Sequence, residues 1–178
     1  MLAPDVLDNG EMPERDEVDK ILDEWKSARP DLNLSPLAVF SRVSRIAKRL
    51  ERIRAQAIGR SNLTAWEFDV LTVLRRSGEP YQLSTKRLVQ ETMVSSGTMT
   101  NRIDRMIEHR LVRRLTDPND GRGVIVQMTP AGLTLVDVAI TRISDAEELL
   151  LKQLSSSEQA KLSQLLREVA LSMERFDD

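Results

Sequence analysis

Thiol and imidazole groups are almost absent from this chain of 178 residues. It contains no cysteine, which excludes disulfide bonds, thiolate metal sites and cysteine-based redox sensing. Its single histidine, His109, excludes a histidine-rich metal site. A nucleophile elbow and a phosphate-cradling glycine loop are also missing, and few side chains remain that could act as general bases near neutral pH. We therefore expect a protein that is not an enzyme and that holds neither a metal ion nor a cofactor.

Aromatic residues and long apolar runs are scarce as well. Phe, Trp and Tyr make up only 3% of the chain, so the core must consist mainly of aliphatic side chains and methionine. No run approaches the ~20 apolar residues that a membrane-spanning helix needs. The N-terminal stretch is acidic and lacks the charged-then-apolar order of a signal peptide. These absences predict a cytoplasmic protein.

A surplus of positive charge is also missing, because the formal net charge is -2. The charges are nevertheless segregated: residues 1–31 carry 10 acidic and 4 basic side chains, whereas residues 42–60 carry 7 basic and 1 acidic. Residues 81–128 carry 8 basic and 5 acidic side chains, and residues 129–178 carry 5 basic and 9 acidic. Phosphate binding depends on the local field rather than on the total, so a nucleic-acid partner is compatible with this composition. The run at 42–60 is equally explained as the solvated face of a helix.

The stretch 83–132 contains the elements of a winged helix-turn-helix. A short helix is predicted to begin after Ser84, and a second helix covers about 95–110. Two strand-like runs, 112–115 and 124–128, flank a loop rich in Asp, Asn, Gly and Pro, as a long hairpin turn should. A helix, a turn, a helix and a basic-tipped hairpin are the parts of a DNA-binding unit.

Helical periodicity dominates the rest of the chain, so the predicted fold is mainly α: a winged helix-turn-helix with a two-stranded wing and a helical dimerisation region at each end. Helix starts are marked by Ser35-Pro36, by Thr129-Pro130 and by the capping-box pattern at Thr64 and Ser155. The winged unit is too small to bury the long amphipathic helices outside it, so these should pack on each other or on a second copy. A homodimer would also match the two-fold symmetry of typical operators. The expected parts are a mobile N-terminus (1–15), N-terminal helices (16–60), the DNA-binding domain (61–128) and C-terminal dimerisation helices (129–178).

The second helix of the motif begins with small polar residues, which suits contact with phosphates and base edges, although Ser-Ser-Gly-Thr alone is also an ordinary helix start. Asn101 is of the type that reads adenine, and Arg102 or Arg105 is of the type that reads guanine. Arg122 at the hairpin apex is a long cation that can enter a narrow minor groove, where Asp120 can hold it in position. The predicted DNA contacts are Ser95, Ser96, Thr98, Asn101, Arg102, Arg105, Asp120 and Arg122.

These segments resemble the MarR family of bacterial transcription regulators. The matching stretches are VSSGTMTNRIDRM at 94–106, RLVRR at 110–114, DPNDGR at 117–122 and TPAG at 129–132. The resemblance covers roughly 36–175 and implies a homodimeric winged-helix repressor of double-stranded operator DNA, whose affinity is lowered by a small ligand. The family pattern usually has glycine where His109-Arg110 stands, so the turn after the DNA-reading helix is expected to differ slightly.

Within that family, the urate-responsive and PecS-like subgroup is the most similar, because its members also carry an extra N-terminal helix. They place a tryptophan on that helix, an aspartate on the first helix of the winged unit, an arginine on the DNA-reading helix and another arginine before the wing. The resemblance therefore implies a site for a small anionic ligand. Its matching residues in this chain are Trp25, Asp69, Arg102 and Arg114.

The chemistry of these four side chains suits two kinds of anion. Paired guanidinium groups bind an anionic heterocycle or a polycarboxylate, and Trp25 can cover a flat ring. A purine such as urate and a citrate-like acid such as trans-aconitate both remain open. Each of the four residues also has a simpler role in a core, a salt bridge or DNA binding, so the alternative is a DNA-binding regulator or architectural protein without a small-molecule site. Trp66, which follows the capping threonine, is expected to be a hydrophobic staple or a dimer-core residue.

Overall fold

The computed structural model describes residues 14–117 and 123–175. Within these ranges the chain forms two compact units, one ending at Glu51 and the other beginning at Arg52. The mainly α fold predicted from the sequence is confirmed, whereas residues 1–13 of the segment expected to be mobile lie outside the described ranges. The elements are α1 (Glu17–Ala28), α2 (Ser35–Gly59), α3 (Ala65–Arg76), β1 (Gln82–Ser84), α4 (Thr85–Thr92), α5 (Ser96–Glu108), β2 (Val112–Thr116), β3 (Val124–Met128), α6 (Pro130–Leu151) and α7 (Ser156–Glu174).

Most helices begin where the sequence predicts, with a side chain at the N-cap that accepts a hydrogen bond from the first turn. The Thr64 hydroxyl accepts from the N–H of Glu67, and the Glu67 carboxylate accepts from the N–H of Thr64 at 2.8 Å, which completes the capping box of α3. Helix α7 begins with the same arrangement. Helix α2 differs from the prediction, because Ser35 is its first residue rather than its cap. The Ser35 N–H instead donates to the side chain of Asn33 at 3.1 Å.

In the N-terminal unit, one arginine of α2 ties down the start of α1. Asp16 caps α1 by accepting from the N–H groups of Val18 and Asp19. The same carboxylate accepts from Arg42 at 2.8 and 3.0 Å, and Arg42 also donates to Asp19 at 2.7 Å. These hydrogen bonds from Arg42 lower the pKa of Asp16 to about 2. The acidic first turn of α1 is therefore attached to the basic helix α2 by a charged network.

We expect α1 to loosen from α2 only in strong acid. Because the pKa of Asp16 falls from 3.8 to about 2, the contribution of this carboxylate to stability is present above pH 3.8 and is lost as the pH falls through about 2. An NMR titration of the Asp16 carboxyl checks this, and Arg42→Met should return its pKa toward the ordinary value. Arg49→Met is the control, since Arg49 lies 4.0 Å from Glu17 and does not contact Asp16. An unchanged Asp16 titration in Arg42→Met would contradict the assignment.

The wing belongs to a three-stranded antiparallel sheet in the order β1-β3-β2. Both predicted strands are confirmed, and their pairing aligns Arg114 with Val126. The sequence pattern does not predict β1, which pairs with the other edge of β3 and aligns Leu83 with Val126. Three residues are too few to show an alternating pattern, and their partner strand lies far along the chain. Strand β1 places the start of α4 beside the wing.

An aliphatic core joins this sheet to helices α3 to α6. On α5 the buried side chains are Met99, Ile103 and Met106, whose helical spacing leaves the opposite face of the helix to solvent. All the largest fully buried side chains are aliphatic or methionine, as the low aromatic content predicts. In the second unit these are Leu71, Leu74, Leu88, Met99, Ile103, Met106, Val70, Val126 and Val136.

The turn after α5 has a left-handed residue although no glycine stands there. Arg110 has a φ of 60°, a conformation that favours glycine. Its N–H donates to the carbonyl of Ile107 at 2.9 Å, and the next N–H, of Leu111, donates to Met106 at 2.8 Å. The turn therefore has the backbone conformation that glycine would adopt at this place, with an arginine side chain added to it.

Helix α7 leaves its apolar side uncovered within the described chain. It contains no buried residue, although its sequence predicts an inward stripe. The exposed fraction is 40% at Leu162, 50% at Leu165 and 46% at Leu166, and it reaches 70% at Leu149 near the end of α6. Despite these leucines, none of the helices in the described ranges combines the length and apolar content that crossing a bilayer demands.

Candidate nucleic-acid interface and ligand site

Helix α5 presents a polar, positively charged face to solvent. Ser95 caps the helix by accepting from the Thr98 N–H at 3.2 Å, and the two hydroxyls lie 2.9 Å apart. Asn101 and Arg105 are exposed, and Arg102 is half-buried. The free N–H groups of the first turn add the positive end of the helix dipole. This face therefore combines hydrogen-bonding groups with two cations, as an interface with nucleic acid requires.

A surface hollow of about 450 Å³ lies on this face, and we call it the α5 hollow. It brings together four of the predicted DNA contacts with a tryptophan that the sequence pattern does not assign to the interface. The guanidinium carbon of Arg102 lies 5.8 Å from the centre of the Trp66 ring, within the range of a cation–π interaction. The hollow is lined by Trp66, Gly97, Thr98, Asn101, Arg102 and Arg105.

A second hollow, of about 550 Å³, lies between the wing, the start of α4 and the middle of α5, and we call it the wing hollow. Arg114 lines it and donates to Asp104 of α5 at 2.8 Å, so strand β2 is tied to α5. No sequence signal connects these two residues, because they lie on different elements. The full lining is Ser84, Thr85, Lys86, Thr100, Ile103, Arg114, Asp117, Gly123 and Val124.

The four residues predicted to hold a ligand are distributed as follows. Arg102 lines the α5 hollow, whereas Arg114 lines the wing hollow. Asp69 is exposed on α3. Trp25 belongs to the N-terminal unit and is 45% exposed. The two arginines therefore do not share a hollow, and the role of the four residues as one site stays a prediction.

The tip of the wing, with Asp120 and Arg122, lies outside the described residues. At the base of this loop the Asp117 N–H donates to the carbonyl of Gly123 at 3.0 Å, so the two strands enter and leave it side by side. The proposed entry of Arg122 into a minor groove stays a prediction.

A buried carboxylate ties the other end of α5 to α3. Glu67 is only 2% exposed, and its Oε1 lies 2.6 Å from Nδ1 of His109, just after the last turn of α5. Burial alone would raise the pKa of Glu67, but hydrogen bonds from the Thr64 N–H, from His109 and from the Thr64 hydroxyl outweigh burial and lower it. The first turn of α3 is thus joined to the residue that follows α5. Among residues 14–117 and 123–175, no group of three His, Asp or Glu side chains is placed to hold a metal ion.

Known proteins with similar sequences share the winged helix-turn-helix described above. The sequence model of the MarR family matches residues 61–123, which include both helices of the motif and the first strand of the wing. Over 153 residues the chain is 33% identical to the HTH-type transcriptional regulator PecS of Dickeya dadantii, covering 86% of this chain and 92% of that protein. This chain belongs to the MarR family. It is a transcription regulator and not an enzyme.

Two solved structures connect the MarR fold to DNA and to a ligand. A mutant of Escherichia coli MarR complexed with operator DNA is 26% identical, with a TM-score of 0.59 over 82% of this chain and 96% of that one. BpsR of Bordetella bronchiseptica, whose DNA binding is regulated by 6-hydroxynicotinic acid, is 26% identical, with a TM-score of 0.54 over 72% and 98%. This MarR-family chain is thus similar to one protein solved with operator DNA and to another whose DNA binding a small molecule regulates.

Proposed function

We propose that this MarR-family protein is a homodimeric repressor of double-stranded operator DNA, and that a small anion lowers its affinity for the operator. The observation that carries the first part is the α5 hollow, where Thr98, Asn101, Arg102 and Arg105 meet on one exposed face. Its target is then chromosomal DNA, so we place its action in the cytoplasm.

In this proposal the polar residues of the interface contact phosphates, base edges in the major groove, or the minor groove. The hydroxyls of Ser95 and Ser96, at the N-terminus of α5, contact phosphates, which fixes the register of the helix in the major groove. Asn101 reads adenine, and Arg102 or Arg105 reads guanine. At the wing, Arg122 enters the minor groove and Asp120 holds it in place.

Support for the anion comes from the ion pair at the wing hollow. Lys86 and Arg114 place two cations on this hollow, and Asp117 places one carboxylate there, so the lining carries a net positive charge. An anion that binds Arg114 competes with Asp104, which lies on α5 and now pairs with that arginine. The bound anion separates Asp104 from the wing and shifts α5, an effect that loss of the ion pair alone does not produce. Ligand binding and loss of DNA affinity are then linked through one contact.

The proposed ligand is a flat anionic ring such as urate, or a citrate-like acid such as trans-aconitate. The regulation of BpsR by 6-hydroxynicotinic acid supports a flat ring. Trp25, Asp69 and Arg102 remain part of the proposed site together with Arg114. The alternative is a DNA-binding regulator without a ligand, and the separation of Arg102 and Arg114 into different hollows favours that alternative.

Fluorescence anisotropy on a duplex selected from a random library tests both parts of the proposal. Nanomolar binding to the selected duplex, with much weaker binding to a scrambled one, is expected of the regulator. Urate, xanthine, citrate, trans-aconitate and 6-hydroxynicotinate are then titrated into the complex. Release of the duplex by at least one of these anions supports the sensor. If none of them releases the duplex or shifts the melting temperature, the protein is a DNA-binding regulator without a ligand.

Arg114→Ala should raise the anion concentration that releases half of the bound duplex by about tenfold or more, because a charge-assisted hydrogen bond to the ligand is lost. The affinity for DNA without ligand should change by less than about threefold, since an exposed ion pair contributes little. Arg113→Ala is the matched control: Arg113 is the neighbouring arginine, and it donates to Gln127 at 2.9 and 2.7 Å.

Equal losses of DNA affinity and of ligand release in Arg114→Ala would contradict this role and identify a phosphate contact or a structural residue. Trp25→Leu and Asp69→Asn, measured in the same way, decide between the four-residue site and the wing hollow alone. If the four residues act together, both variants weaken release as Arg114→Ala does.

A further inference from the structure

Among the described residues, the cation of Arg102 contacts an aromatic face and pairs with no carboxylate. Its guanidinium lies over the Trp66 ring, 5.8 Å from the ring centre, and none of the ion pairs among the described residues involves it. A carboxylate partner would occupy N–H donors of the guanidinium and cancel its charge. The face of a tryptophan attracts the cation while it leaves the charge and the donors available to DNA.

The Trp66 ring is itself held in place from behind. Trp66 is half-buried and packs against the hydrophobic core. It lies in the first turn of α3, where the Thr64–Glu67 capping box fixes the backbone. The next residue, Glu67, contacts His109 beyond the end of α5. The first turn of α3 therefore contacts α5 at Arg102 and contacts His109 just after the end of that helix, so two contacts join these elements.

We infer that Trp66 is a positioning residue, which orients Arg102 for reading a base and thereby sets the specificity of this protein at that base. The inference rests on the proposed function, in which Arg102 contacts DNA. A free arginine side chain samples many rotamers and loses that freedom on binding. An arginine already oriented by a fixed ring loses less, so the contact that it makes to a base is both stronger and more selective.

A double-mutant cycle tests this inference on the full chain with the selected duplex. Trp66→Leu keeps an apolar side chain against the core and removes the ring, Trp66→Phe keeps a ring, and Arg102→Ala removes the cation. Trp66→Leu should weaken binding by about two- to fivefold, the range of an exposed cation–π interaction. Trp66→Phe should remain within about twofold of wild type. In the Arg102→Ala background, Trp66→Leu should have no further effect.

Base preference supplies the readout that a merely structural role would not change. Affinities for all single-base variants of the duplex should show that Trp66→Leu and Arg102→Ala relax the preference at the same base pair and leave the others as in wild type. A loss of affinity spread evenly over all positions, or effects that add in the double variant, would overturn the inference. Trp66→Met provides a second ring-free variant if Trp66→Leu lowers the melting temperature.

Failure of the inference can be told apart from failure of the proposed function. If Arg102→Ala leaves both affinity and base preference unchanged, then Arg102 does not read DNA, and the assignment of that residue in the proposed function is wrong together with the inference. If Arg102→Ala changes both and the Trp66 variants change neither, only the inference is wrong.

Discussion

Replacing Gly132 with alanine should destabilise the winged unit by about 3 kcal/mol, because the added methyl group collides with the backbone. Gly132 lies in the first turn of α6, where helix propensity alone would favour alanine by about 1 kcal/mol. A Cβ atom at this position would overlap the carbonyl oxygen of Leu111 and lie 3.0 Å from Cγ of Met128. The collision therefore outweighs the gain in propensity.

The carbonyl of Leu111 has little freedom to move away. It accepts from the Thr129 N–H at 3.0 Å and from the Thr129 hydroxyl at 3.1 Å. The same threonine hydroxyl caps α6 by accepting from the Gly132 N–H at 3.1 Å. A shift of this oxygen would break the junction between the turn after α5 and the start of α6, which leaves buried polar groups without partners.

Urea denaturation followed by circular dichroism measures this effect, with Gly97→Ala as the matched control. Gly97 also lies in the first turn of a helix, but a Cβ there meets no atom within 4 Å. Alanine at Gly97 should therefore stabilise the protein by about 0.5–1 kcal/mol. A Gly132→Ala protein as stable as wild type would show that the junction adapts, contrary to the close approach seen here.

Elements that depend on neighbouring residues could be predicted from the sequence. The capping box at Thr64 and Glu67 needs only a spacing of three residues, and the caps at Ser84 and Thr129 follow the same local rule. The sequence does not show, however, that Glu67 is buried and contacts His109, because that contact joins two helices that are distant along the chain. Strand β1 is missing from the prediction for the same reason.

In the candidate site, too, the sequence predicts features within one helix but not contacts between helices. The helical spacing of Met99, Ile103 and Met106 predicts which face of α5 is free, so the exposed residues of that face could be named in advance. The neighbours of Arg102 could not, since Trp66 reaches it from another helix. The capping threonine before Trp66 predicts only a packing role for this ring. Its contact with the guanidinium of Arg102 is visible only in the tertiary structure.

In the proposed homodimer, two charged substitutions on α7, Leu162→Glu together with Leu166→Glu, should yield a monomer and weaken operator binding by about 100-fold or more. The two leucines lie one helical turn apart, and 40% and 46% of their surface is exposed within the described chain. Four carboxylates buried in a dimer interface, two from each subunit, would be strongly unfavourable. A monomer reaches only one half-site at a time and loses the avidity that two linked DNA-binding units provide.

Light scattering and anisotropy on full-site and half-site duplexes separate lost avidity from a damaged reading helix. The control, Ser157→Glu with Ser163→Glu, adds the same charge at exposed polar positions of α7 and should remain a dimer. The leucine variant leaves Thr98, Asn101 and Arg102 untouched, so its affinity for a half-site should match that of wild type while its affinity for the full site falls. A variant that stays dimeric would place the interface elsewhere, and a monomer with full-site affinity intact would show that one subunit suffices to read the operator.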